Sequence, residues 1–186
     1  FSLFYDMGIV APRAVYAKLY VNEEFWGLFC VVEEIDGRFT KSRFPNSGDG
    51  NLYKEIWPEN QAYDSDILGA LTTNNDPVDT PDIADFKSFR DAVTAMTTDS
   101  ANFLAVVGPI VNLSQIVKYM AVDRGIMNFD GVVSAYVTWG GHLRHNYFWY
   151  HDEESGLFTL IPWDLDKTFL YPEPNFWTNN QPNVIN

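Results

Sequence analysis

The stretch Ile161-Pro162-Trp163-Asp164-Leu165-Asp166-Lys167 constrains this chain more than any other. It closes an apolar run with two carboxylates set two residues apart, beside a proline and a large aromatic ring. Side chains alternate along a strand, so a strand continued through the segment points Asp164 and Asp166 to one side. Two acids on one face repel unless positive charge sits between them, and a divalent cation with oxygen ligands answers that need. A metal site at a strand end is one reading. A turn whose aspartates accept backbone hydrogen bonds and cap the next few residues is the other.

The rest of the chain bounds the choice. Its 186 residues, 46% hydrophobic, match one ordinary domain with enough apolar mass for a core. Twenty-five acidic against twelve basic residues leave a net charge of -13, which argues against nucleic acid or an anionic membrane surface as partner. Every apolar run falls short of the roughly 18 residues of a bilayer span, so no membrane span is expected. Cys30 lies in an apolar strand, where a thiol behaves as a small hydrophobe, and a single cysteine permits no disulfide within the chain. The start at Phe1 and the Asn/Pro-rich tail read as a processed or partial chain. Phe, Tyr and Trp make up 16% of the residues, a supply of core packing and of stacking surfaces for a flat ligand.

Along the chain, Val15 to Asn22 and Phe25 to Glu34 are expected to form an antiparallel pair, with Gly27 marking either a bulge or a close approach of another backbone or a ligand. Residues 36–44 read as a short helix, and Asn51 to Trp57 as a third strand carrying Lys54. The polar stretch 58–80 reads as an irregular excursion. Thr80-Pro81 has the pattern of a helix start, followed by an apolar face of Phe86, Phe89, Val93 and Met96. A second helix is expected over 100–107. A third is expected from 113 or 114 to 127, burying Ile116, Val117, Met120, Ala121 and Gly125. Tyr147 to His151 and Leu157 to Trp163 then form a hairpin around Asp152 to Gly156.

Lys54 on a strand, Asp130 after a long helix, Asn146 at the hairpin entry and the Asp164/Asp166 pair succeed one another in the order that phosphoryl transfer from ATP uses. Lysine is a point charge for phosphate oxygens, Mg2+ takes carboxylate and amide oxygens, and a further carboxylate can accept a hydroxyl proton. Taken singly, each has a bland alternative: a solvated lysine, an Asp-Gly turn, a strand entry.

Six ordered blocks carry a more specific signal. They are Leu19 to Phe29, Val32 to Asp36, Gly50 to Lys54, Asn128 to Gly131, His145 to Tyr150 and Pro162 to Asp166. In order they resemble the signature blocks of the CotH-type spore-coat protein kinases, across nearly the whole chain. The resemblance implies an α+β, atypical protein kinase-like fold. A small antiparallel β N-lobe would span 1–57, the excursion 58–80, and the helical middle with its metal-site hairpin 81–186. About twenty residues lie beyond the last block, so the C-terminal lobe is expected to be incomplete.

It also implies ATP, Mg2+ or another divalent cation, a protein substrate with serine-type hydroxyls, and a secreted, extracellular or coat-associated setting. Carried over residue by residue, Asp164 is the metal-binding acid, Asp166 a second ligand or orienting group, and Asn146 the amide ligand. Asp130 is similar to the acid of the catalytic segment and is assigned the general-base role. Lys54 would hold the phosphates with Glu33 as its partner, and Tyr53 and Phe158 would stack on adenine.

The chain departs from the family where Glu23 follows Asn22 in place of glycine, and in the long stretch 132–144, which could form a substrate-facing flap. Two alternatives stay open: a noncatalytic CotH-like structural or binding module of an extracellular or coat assembly, and a carbohydrate-active hydrolase. The hydrolase requires two carboxyl groups about 5 to 9.5 Å apart across an aromatic groove.

Overall fold

The computed structural model describes residues 1–59, 62–72, 82–96, 100–133, 136–138 and 141–169. Within them the chain is a mixed α+β protein built around small antiparallel sheets. α1 (Ser2–Asp6) leads into the hairpin of β1 (Ala14–Val21) and β2 (Glu24–Val32), and α2 (Gly37–Arg43) comes next. Asp36 caps α2, its carboxylate accepting from the amides of Arg38 and Phe39 at 2.9 and 3.1 Å. β3 (Leu52–Lys54), α3 (Asp64–Ala70), α4 (Ala84–Met96) and α5 (Phe103–Val106) precede the longer α6 (Leu113–Gly125). A short pair, β4 (Tyr136–Thr138) and β5 (Gly141–Leu143), lies in the stretch read as a flap; β6 (Tyr147–Asp152) and β7 (Leu157–Pro162) form the last hairpin.

The central sheet has the order β3-β6-β7, with Tyr53 facing Trp149 and Trp149 facing Leu160. Both of its faces are buried. One carries Tyr53, Tyr147, Trp149, Phe158 and Leu160 against Phe86 and Phe89 of α4 and Tyr119 and Val122 of α6. The other carries Leu52, Phe148, Tyr150 and Ile161 against Ile35 and Phe39. This double burial explains why β3 leaves the first hairpin. Leu52 and Tyr53 are both fully buried, one to each side, and such a strand needs layers on both faces. The expected β region 1–57 is therefore divided: β1 and β2 pair with each other, and β3 pairs with β6.

The third strand is also shorter than expected, and the excursion contains α3, whose Ile67 is fully buried. The expected cap at Thr80 and Pro81 lies outside the described residues. In α4, Phe86 and Phe89 are buried and Val93 and Met96 pack against the same core, as their spacing predicted. α6 differs. Its buried positions are Gln115, Tyr119, Val122 and Asp123, whereas Val117 is 65% exposed and Ala121 and Gly125 face outward.

The reason for that rotation is the free edge of β7. Gln115 donates its amide nitrogen to the Leu160 carbonyl and accepts from the Leu160 amide at 3.2 Å. Close by, Phe158 donates to Ile110 O at 2.8 Å, and Asn112 to Phe158 O at 3.0 Å. A polar face of α6 turns inward because an unpaired strand edge must be satisfied.

Candidate active site

The site forms at one end of the central sheet. Lys54, Phe148 and Ile161 lie in one row across the three strands. Beyond that row Glu55 N donates to Tyr147 O at 3.2 Å, and Trp163 N to Asn146 O at 2.9 Å. The ladder thus persists to where all three strands end, and there each chain breaks in the same manner. Glu55 leaving β3, Asn146 entering β6 and Asp164 beyond β7 have left-handed backbones, with φ of 54, 64 and 41°. For residues other than glycine that conformation costs about 1–2 kcal/mol, least for Asn and Asp. Strain of this kind gathers at functional sites.

This geometry corrects the expectation of a continued strand. β7 ends at Pro162, and Leu165–Lys167 is a single tight helical turn, so strand alternation does not orient Asp164 and Asp166. They nonetheless share a cleft. Both carboxylates repel, and the Asp164 carboxyl is held above its ordinary range, first by partial desolvation and then by Asp166, Asp130 and Glu55, with Lys167 opposing.

Asp130 reaches this end of the sheet from α6. It is 5% exposed, and its carbonyl accepts from the His145 amide at 3.2 Å. Its Oδ2 lies 3.3 Å from Lys167 Nζ. Its Oδ1 is buried without a hydrogen-bond partner among the described residues. Such an oxygen is costly to leave unsatisfied, and a proton, a cation or a hydroxyl donor would relieve it. Asn146, 7% exposed, is held through its backbone, its amide donating to Glu55 Oε1 at 3.0 Å. Glu55 Oε2 stands 3.4 Å from His145 Nδ1.

Beside the acids opens a cleft of about 980 Å³, within the range of small-molecule sites. Trp163, Asp164, Asp166 and Thr168 form one wall; α1 and the β1/β2 face of Arg13, Ala14, Tyr16, Cys30 and Val32 form the other. Cys30 is thus exposed in the cleft and does not act as a buried hydrophobe.

Lys54 is exposed, with Nζ 5.8 Å from the centroid of the Phe148 ring. That ring meets Trp163, the neighbour of Asp164, edge-on at 6.1 Å. Three expectations are corrected here. Glu33 is bound to Arg13 and Arg43, at 2.6 and 2.7 Å, and not to Lys54. Two guanidinium groups with forked donors already hold this carboxylate, and they fit it better than a lysine carried on a different sheet.

Tyr53 is fully buried, donating its hydroxyl to Asp85 Oδ1 at 2.6 Å. Phe158, 1% exposed, stacks on Phe89 at 4.8 Å. Both rings point into the helix-covered face, so neither offers a surface to adenine.

Sequence reading missed Glu55, Lys167, Arg13 and Asp123. Glu55 directly follows Lys54, and Lys167 ends the acidic motif, so adjacency was an available signal for both. Nothing local marks Arg13 or Asp123.

Among the described residues no three His, Cys, Asp or Glu side chains are grouped to hold a metal ion by themselves. Two carboxylates and an amide still fit Mg2+, which takes one or two protein carboxylates and completes its shell from water and phosphate. The raised Asp164 carboxyl and the orphaned Asp130 oxygen mark unneutralised negative charge at this place.

Mixed α+β architecture, with left-handed strand ends bearing Asp, Asn and Glu beside an acid-edged cleft, defines the class of protein to which the chain belongs. Within that class the chain belongs to the CotH kinase protein family, whose pattern it matches over residues 1–185. The chain is also similar to the inner spore coat protein H of Bacillus subtilis (strain 168), 25% identical over 173 residues. The alignment covers 90% of this chain and 44% of that protein, so the chain spans less than half the length of this relative. No helix among the described residues is long and apolar enough to cross a membrane.

Proposed function

We propose that this chain transfers the terminal phosphoryl group of ATP to serine-type hydroxyls of a protein substrate, on a kinase-like fold. The observation that carries this reading is the convergence of Asp130, Asn146 and Asp164 at one sheet end, beside a nucleotide-sized cleft. Asp164 and Asn146 would hold a divalent cation, with Asp166 as a further ligand or an orienting group. When bound, such a cation neutralises phosphate oxygens and aligns the transferring group.

The chain's own residues do the rest. Asp130 accepts the proton of the attacking hydroxyl through its unpartnered Oδ1, while Lys167 keeps Oδ2 in place. The hydroxyl oxygen bonds to the γ-phosphorus, the bond to the β,γ-bridging oxygen breaks, and ADP leaves. Lys54 supplies positive charge toward the phosphates by extending past Phe148. The apolar hairpin wall of Ala14, Tyr16 and Val32 takes over the stacking role expected of Tyr53 and Phe158.

Asp164→Asn tests the reading. The variant is expected to keep the fold and lose Mg2+-dependent ATP binding by at least about tenfold in calorimetric titration, the scale of a lost charge-assisted ligand. Equal affinity in the variant and the unaltered protein would remove Asp164 from the metal role.

A further inference from the structure

Asp123 is fully buried on the last turn of α6, seven residues before Asp130 and outside the cleft. Its two carboxylate oxygens are spent on the two ends of one loop. Oδ1 accepts from Asn128 Nδ2 at 2.8 Å, and Oδ2 from the Val133 amide at 3.0 Å. The Asn128 amide donates to the Asp123 carbonyl at 3.1 Å, so the residue grips the loop entrance by backbone and side chain together.

Gly131 closes the arrangement. A Cβ at this position would lie 2.3 Å from Asn128 Nδ2 and 2.6 Å from Asp123 Oδ1. Absence of a side chain, and not a left-handed backbone, is what the position requires. Asp130 sits between the two gripped ends, and its carbonyl anchors the His145 amide at 3.2 Å. A buried carboxylate is expensive, and burial lifts the Asp123 carboxyl to about 6 against the opposing hydrogen bonds of Val133 and Asn128. An apolar side chain here would leave the Asn128 Nδ2 and the Val133 amide without their acceptor, so what the acid supplies is the hold on both ends of the loop.

We infer that Asp123, with Asn128 and Gly131, is a positioning device that clamps the 128–133 loop and so fixes the Asp130 carboxylate relative to Asp164. The inference rests on the phosphoryl-transfer reading for its kinetic consequence, and on geometry alone for the clamp. Two substitutions reach it by different chemistry. Asp123→Asn replaces an acceptor with a donor facing Asn128 or Val133, and Gly131→Ala drives a methyl group into the same contact.

Each is expected to lower kcat for phosphoryl transfer about 10²-fold, the cost of displacing a reacting group by about an ångström. KM for MgATP should stay unchanged, because the cleft residues are untouched. Hydrogen exchange gives a readout independent of activity. The amides of Asn128, Val133 and His145 should be protected in the unaltered protein and exchange faster in both variants, while those of β6 and β7 stay protected.

Unchanged kcat in both variants of an active protein would overturn the inference. So would fast exchange at Val133 in the unaltered protein, a measurement that needs no variant to fold. If the unaltered protein transfers no phosphoryl group, the functional reading fails, and exchange at these amides alone decides the clamp.

Discussion

Asn22 and Glu23 link β1 to β2 as a two-residue turn, closed by Val21 against Glu24, and both have left-handed backbones, with φ of 49 and 68°. That turn matches the twist of the strands but favours Asn-Gly, so Glu23 occupies a position where glycine would be unstrained. The sequence departure from the family at Glu23 therefore changes the strain in the turn and not its length. Gly27, at φ 144°, takes up the register shift between Leu19 and Tyr20 and leaves Trp26 as the extra bulged residue. Glu23→Gly is expected to stabilise the hairpin by about 1 kcal/mol. Slower exchange of the β1 and β2 amides would register it, and unchanged or faster exchange would show that the turn is not the weak point.

At the scale of elements, buried polar groups decide how helices meet the sheet. α4 is tied to β6 through Asp85, which accepts from Tyr53 at 2.6 Å and Asn51 at 3.1 Å and lies 3.2 Å from His151 Nδ1. The hydrogen bond to Asp85 raises His151 above its ordinary 6.5. Burial pushes the Asp85 carboxyl upward, but His151 and the other donors together outweigh it and bring it below 3.8.

These two shifts bound the pair from opposite sides of the pH scale. The His151 contribution is complete below pH 6.5 and is lost as pH rises through its folded value. The Asp85 contribution is present above pH 3.8 and is lost as pH falls through its folded value. His151→Gln should therefore cost about 2 kcal/mol more between about pH 4 and 6 than at about pH 9. Chemical denaturation across that range measures the difference; a cost independent of pH would assign His151 to packing alone, through its stacking on Phe158 at 4.8 Å.

Across the whole molecule, phosphoryl transfer requires two separate roles among acids that share one sheet end. Asp164 faces the cleft, whereas Asp130 is buried behind it with Lys167 on one oxygen. Asp130→Asn is accordingly expected to bind MgATP within a factor of about three of the unaltered protein and to lose phosphoryl transfer about 10²- to 10⁴-fold, the usual worth of a general base. Transfer retained by the variant would return Asp130 to a structural role.

Much of this arrangement is legible in short segments. The terminal hairpin, the first antiparallel pair, the helix bearing Phe86 and Phe89, and the short helix α2 all stem from patterns within a dozen residues. Expectation and structure part wherever a partner distant in sequence intervenes. α6 turns Gln115 inward because β7 offers an open edge there. β3 joins β6 and not β2, and Glu33 finds Arg43 and Arg13 and not Lys54.

Local residues alone thus determined most element positions, the family resemblance that implied the α+β class, and the acids and amide around which the site is proposed, because periodicity and motif order are properties of short segments. Folding in three dimensions determined which strand ends coincide, which rings are consumed by the core, and that Asp123 and Glu55 stand behind Asp130 and Asn146. Those are contacts between residues far apart in the chain, and their energy comes from burial and hydrogen-bond satisfaction that no short segment contains.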